Sequence, residues 1–156
     1  MKLSEVLEES AVLLDLNGLD KWRAIDTLTD RLVSSGQVVE AHRERVHEAL
    51  VARERSMSTG MENGLAIPHT SVEELEQTVV ALGIATDGID FEAIDGRPTH
   101  LVVLLVNPAN RTKTHIRTLA EIARLLSSPE LRSALVGASS AEAALEVIRA
   151  GEAAAA

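Results

Sequence analysis

Two stretches limit the choice of fold more than any others. "TVVALGIA" (78–85) and "HLVVLLV" (100–106) are almost unbroken runs of Val, Leu, Ile and Ala. A strand with one wet face alternates apolar and polar residues. These runs do not, so both of their faces must be covered. Segments with helical spacing stand before and after them, which calls for an α/β sandwich with helices on both sides of a sheet.

The rest of the chain can supply those layers. Its 156 residues, 46% of them apolar, suffice for one domain with a real core, read here as a single unit over 1–156. Trp22 and Phe91 are the only aromatic rings besides histidine, so the core is built from Leu, Val, Ile and Ala. So few rings also offer no stacking platform for single-stranded nucleic acid. Fifteen Lys and Arg stand against 24 Asp and Glu, a formal charge of −9, which repels a nucleic-acid backbone. No cysteine is present, which excludes thiolate chemistry and cysteine-based zinc sites. No run approaches the ~20 apolar residues of a membrane span. The acidic start "MKLSEVLEES" does not read as a secretory signal. The expectation is a soluble cytoplasmic protein without membrane insertion.

Along the chain, residues 1–18 read as an irregular lead-in with one helical turn, closed by Asn17-Gly18. Asp20 caps a first long helix with the stripe Trp22, Ile25, Leu28 and Leu32, ended by Gly36. A second helix over about 40–54 presents Val46, Ala49, Leu50 and Arg53 on one face. Gly60, Asn63 and Gly64 provide positive-φ positions for a tight loop before the short strand "LAI". A further short strand lies around Ile89–Phe91, before the Asp95-Gly96 turn. "TKTHIRTLAEIARLL" reads as a third helix with Ile116, Leu119, Ala120 and Ala123 inward. Helices over about 129–136 and 140–149 follow, the latter capped by Ser139 or Ser140. The tail over 150–156 is expected to fray.

The segment "GLAIPHT" (64–70) carries the first functional signal. Pro68 cannot donate to a ladder, so it should end the strand and leave His69 just past its tip, at the rim where α/β sheets bind ligands. Ser58, Thr59 and Thr70 are nearby hydroxyls suited to an oxyanion. His115 falls in the first turn of the third helix, where free N–H groups and the dipole favour an anion. Thr112 or Thr114 can cap that helix, and Arg111, Lys113 and Arg117 flank His115. Arg53 adds a cation at the end of an inward face. Taken singly, His69 could pack under a loop and His115 could sit in a solvated basic turn. Together, two imidazoles and a guanidinium describe a phosphate site. An unprotonated imidazole is a nucleophile near neutral pH, and Arg offers paired donors to phosphate. No "GxxxxGK[ST]" loop is present for a nucleoside triphosphate. The chemistry that fits is covalent phosphorylation of a histidine.

"ARERSMSTGMENGLAIPHT" resembles the signature of the fructose/mannitol-type enzyme IIA domain of the phosphoenolpyruvate-dependent phosphotransferase system. The shared residues are Arg53-Glu54, Ser58-Thr59-Gly60, Gly64 and Ala66-Ile67-Pro68-His69. "GIDFEAIDGRPTHLVVLLVNP" and "HIRTLAEIARLLSSPELRSAL" are similar to the family's central strands and to its helix with a second active-site histidine, here His115. The resemblance implies a three-layer sandwich, with a mixed sheet of about five strands flanked by helices, and a phosphohistidine carrier that needs no metal or cofactor. His69 would take phosphate from a histidine phosphocarrier protein, steadied by Arg53 and His115, with loop support from Ser58, Thr59, Gly60 and Thr70. It would pass the phosphate to an enzyme IIB or signal through its phosphorylation state. The N-terminal "LSEVLEESAVLLDLNGLDKWRAIDTLTDRL" (3–32) looks most like the nitrogen-regulatory branch, whose members act mainly as regulators of protein targets. Trp22 stands where that branch commonly has Lys, and Ser71 with Glu74 reads as a capping box. The alternatives are a sugar-specific enzyme IIA and, more remotely, a metal hydrolase using His69, His115 and Glu54.

Overall fold

The computed structural model describes residues 2–155. In chain order the elements are α1 (Leu3–Val6), β1 (Leu7–Leu13), α2 (Lys21–Ser34), a 3-10 turn (Glu40–His42), α3 (Arg43–Ser56), β2 (Leu65–Ala66), β3 (His69–Val72), β4 (Val79–Ile89), β5 (Thr99–Pro108), α4 (Thr112–Leu125), α5 (Pro129–Val136) and α6 (Ala141–Ala155). The strands form one mixed five-stranded sheet. β4 and β5 pair antiparallel at its centre, β1 runs parallel to β4, and β2 and β3 run parallel to β5. Helices α2 and α3 pack together over β1, β3 and β4, while α5 and α6 pack together against β1, β4 and β5. The central strands are therefore covered as their unbroken apolar runs require, with Leu101 to Val106 all buried.

Pro68 does less than its chemistry suggested. It interrupts the edge ladder, but β3 resumes at His69 in the same register against β5 that β2 holds. The Pro68 carbonyl accepts from Leu105 N–H at 3.0 Å, so the proline takes its place in the pairing through the one group it still has. His69 is thus the first residue of an edge strand and not a residue beyond one. Ser71 lies inside that strand and opens no helix.

The lead-in contains β1, which sequence reading missed. Its residues "LEESAVL" carry three consecutive exposed positions, and the register slips between Leu7 and Val12. A bulged edge strand with acids in its middle lacks a period-two signature. The stripe on α2 starts one residue early: Lys21, Ala24, Ile25, Leu28, Thr29 and Leu32 are buried, while Trp22 is 39% exposed. On α4 Thr118 and Ile122 are buried, Leu119 and Ala123 are half-buried against the core as expected, and Ile116 and Ala120 are exposed. That helix packs on α1 and α6, and Ile122 reaches the core. The tail does not fray over its described length. α6 continues to Ala155, and Glu152 accepts hydrogen bonds from the Ser4 amide and hydroxyl. Ala156 lies outside the described residues.

Gly83 fixes how closely α2 approaches β4. A Cβ there would stand 2.2 Å from Leu16 Cδ1 and 3.3 Å from Leu28 Cδ2, inside the core. Gly83→Ala is expected to lower stability by roughly 1–3 kcal/mol. The check is a urea titration, in which the midpoint should fall with little change in slope.

Candidate functional site

The site forms where three elements converge. β3 begins with His69, paired to Leu105 of β5. β5 then ends at Pro108, and after a three-residue loop α4 brings His115 in its first turn. The two imidazole rings lie 5.4 Å apart between centroids, tilted by 47°. Arg53 comes from the last turn of α3. Arg53 is half-buried, and among the described residues its guanidinium makes one long hydrogen bond, 3.4 Å, to the Met57 carbonyl, so its other donors remain open to a ligand.

His69 is held in one tautomer. Nδ1 lies 2.7 Å from the Ile67 carbonyl oxygen, which can only accept, so Nδ1 carries the proton. Nε2 keeps the lone pair. Burial is the main cause that pushes the His69 pKa below its usual value; the Ile67 bond opposes it, and the Arg53 charge adds to the lowering. His115 is also pushed down, first by burial and then by His69 and Arg53. Its Nδ1 is buried without a hydrogen-bond partner among the described residues. Both rings are therefore neutral at neutral pH. Around them, α4 begins without a side-chain cap at Arg111, against the expectation for Thr112 or Thr114, so its first N–H groups stay free. Asn110 to Thr114 line a depression of about 590 Å³ at that helix start.

The hydroxyls expected to meet an oxyanion are occupied elsewhere. Thr59 gives both its amide and its hydroxyl to the Glu54 carboxylate, at 2.7 and 2.5 Å. Ser58 Oγ accepts from Lys21 Nζ at 3.0 Å and from the Gly60 amide at 3.2 Å, and lies 3.1 Å from the Phe91 carbonyl. Gly60 has no positive φ; it is needed because a Cβ would stand 2.6 Å from the Phe91 carbonyl oxygen. Thr70 follows His69 in a strand and so faces the other way. Ser58, Thr59 and Gly60 thus build the loop beside the site.

The buried charge at the end of α3 is Glu54, at 2% exposure, one residue past Arg53. Lys21 Nζ sits 2.8 Å from it. Both carboxylate oxygens of Glu54 are engaged, which leaves it no free oxygen to join the histidines as a third metal ligand. Among the described residues no three His, Asp or Glu side chains are grouped to hold a metal ion. Lys21 was the residue sequence reading missed. Only its step of three and four to Ala24, Ile25 and Leu28 could have flagged it.

A family model described as "Phosphoenolpyruvate-dependent sugar phosphotransferase system, EIIA 2" matches residues 5–151. The chain belongs to this enzyme IIA family. A nitrogen regulatory protein from Klebsiella oxytoca is 34% identical over 155 residues, covering 95% of this chain and 90% of that one. The fructose-specific EIIABC component of Bacillus subtilis is 32% identical over 148 residues, but the chain spans only 23% of its length. Among solved structures, the nitrogen regulatory protein IIA-Ntr from Neisseria meningitidis superposes with a TM-score of 0.83 at 31% identity, covering 94% of this chain and 98% of that one. This EIIA fold is the mixed α/β sandwich expected from the sequence, and the domain is a component of a phosphoryl-transfer system. Among the described residues no helix is long and apolar enough to cross a membrane.

Because the Arg53 charge holds both histidines down, Arg53→Ala should raise the titration midpoints of His69 and His115 together. In the unaltered protein both midpoints should lie below the ordinary histidine value near 6.5. Nuclear magnetic resonance titration of the imidazole nitrogens reads both shifts.

Proposed function

We propose that His69 accepts a phosphoryl group on Nε2 from a histidine phosphocarrier protein, and that the phosphorylated state signals to regulatory protein targets. The observation that carries this reading is the tautomer: Nδ1 is tied to Ile67, and the free lone pair of Nε2 stands beside a second neutral imidazole and an unpaired guanidinium.

The step is an in-line displacement. Nε2 of His69 attacks the phosphorus of the donor phosphohistidine, an N–P bond forms, and the donor's N–P bond breaks. The donor imidazole leaves with the electron pair. His69 then bears positive charge on its ring, and the Nδ1–H bond to the Ile67 carbonyl strengthens in response. Arg53, the open amides of α4 and His115 meet the charge on the transferring oxygens, so catalysis rests on positioning and electrostatics.

The regulatory output is supported by the nitrogen regulatory relative, matched along 90% of its own length. The likeness to a fructose-specific EIIABC component supports a second reading, in which an enzyme IIB takes the phosphate.

Incubation with phosphoenolpyruvate, enzyme I and the phosphocarrier should give an acid-labile, base-stable phosphate on the intact chain. His69→Ala should abolish it, and Arg53→Ala should slow it by about 10–100-fold without unfolding the domain. Retention of the phosphate by His69→Ala, or a wild-type rate for Arg53→Ala, would refute the corresponding role. Chase with an enzyme IIB separates the two outputs. The folded-state His69 pKa lies below its ordinary value, so the free base persists down to that lower midpoint. The rate should stay level from pH 8 to about 6.5 and fall only at lower pH.

A further inference from the structure

Lys21 opens α2, yet it is 4% exposed, an uncommon place for a lysine. Its ammonium has three protons and three partners: Glu54 Oε2 at 2.8 Å, Glu92 Oε2 at 2.7 Å and Ser58 Oγ at 3.0 Å. The rings of Trp22 and Phe91 lie 5.3 Å from it. Glu92 is exposed and adopts φ 54°, a conformation that non-glycine residues rarely hold. The ammonium thus ties α2 to the end of α3, to the 58–60 loop and to the segment after β4.

From this ion pair an unbroken series of hydrogen bonds leads to His69. Glu54 takes the amide and hydroxyl of Thr59. The Thr59 carbonyl accepts from Ile67 N–H at 3.3 Å. The Ile67 carbonyl accepts from His69 Nδ1 at 2.7 Å. That last bond selects the tautomer. The series also sets a charge balance. The charged or titratable groups acting on His69 are Arg53 and Glu54 from α3 and His115 from α4. Without Lys21, Glu54 would be an uncompensated anion that draws a proton to His69 and repels an arriving phosphoryl group.

We infer that Lys21 is a positioning residue for His69: by holding and neutralising Glu54 it fixes Thr59 and Ile67, and so keeps the Nε2 lone pair of His69 free. This rests on the reading that Nε2 is the phosphoryl acceptor. Lys21 touches neither His69 nor the incoming group.

The test compares Lys21→Met, Glu54→Gln and the double variant with the unaltered full chain. Nitrogen-15 resonance of the imidazoles reads the tautomer and midpoint of His69 without any donor protein. In Lys21→Met the midpoint should rise by about half a pH unit or more, and the preference for Nδ1–H should weaken. Transfer from the phosphocarrier should fall by up to about threefold at pH 6.5, the most that half a pH unit can remove from the free base, and less at pH 8.5, where the free base is restored. The double variant should return the midpoint toward its original value, since the amide that Glu54→Gln introduces can still bond Thr59 without a charge. A folded Lys21→Met protein with unchanged tautomer and midpoint would overturn the inference and leave Lys21 a purely structural role. If Lys21→Met does not fold, Glu54→Gln alone is read: with the carboxylate gone and Lys21 kept, the His69 midpoint should fall, and an unchanged midpoint and tautomer there would overturn it. Failure of the unaltered chain to accept phosphate would instead sink the proposed function, with the resonance result still deciding the role of Lys21.

Discussion

Strand β5 is the member on which the rest of the molecule depends. Its residues from Leu101 to Pro108 are buried without interruption, so it pairs on both edges and is covered on both faces. Each constraint it meets positions part of the site. Its ladder with β2 and β3 carries the register across Pro68 and sets His69 opposite Leu105. Its C-terminal end launches α4 and delivers His115. Two histidines 46 positions apart in the chain come within 5.4 Å because one strand is paired to the first and leads into the second.

Electrostatics then suits the site to its task. The chain is acidic overall, yet the groups that converge on His69 are cationic or neutral. Among the described residues the anion that acts on His69 is Glu54, which is buried and paired with a buried lysine. Breaking such a pair is far more damaging than never having had it, because the survivor cannot return to water. The pair therefore couples the fold to the site: the same carboxylate that anchors Thr59 would disturb His69 if it lost its cation. A groove of about 750 Å³ with Leu125, Leu131 and Val147 among its lining residues lies among α1, α4, α5 and α6, and none of the site residues lines it.

The legibility of the chain followed burial. β4, β5, α5 and the cap at Asp20 were readable because one local signal dominates each: apolar runs, Ser128-Pro129, or an acid ahead of a helix. β1 was not, because its middle carries acids and its ladder is bulged. The faces of α2 and α4 were legible in part, with Trp22, Ile116 and Ala120 wrongly placed inside. A bulky Trp22 outweighs Lys21 in any hydrophobic pattern, and only the partners across the fold reveal that the lysine is inside. That His69, His115 and Arg53 would come near one another was legible by residue type and by likeness to a family. The hydrogen-bond partners of Ser58 and Thr59 were not, since a hydroxyl's partner is chosen by what folds against it.

The sequence by itself determined the central strands, the break at Pro68, and the presence of two imidazoles and a guanidinium in segments that could meet. These are local matters, written in residue type and spacing. Tertiary structure alone decided which nitrogen of His69 keeps its lone pair, which acid beside Arg53 is buried, and that Lys21 balances it. Those depend on distances of about 3 Å between segments far apart in the chain, and the strength of a charge or hydrogen bond is set by what surrounds it once water has been excluded.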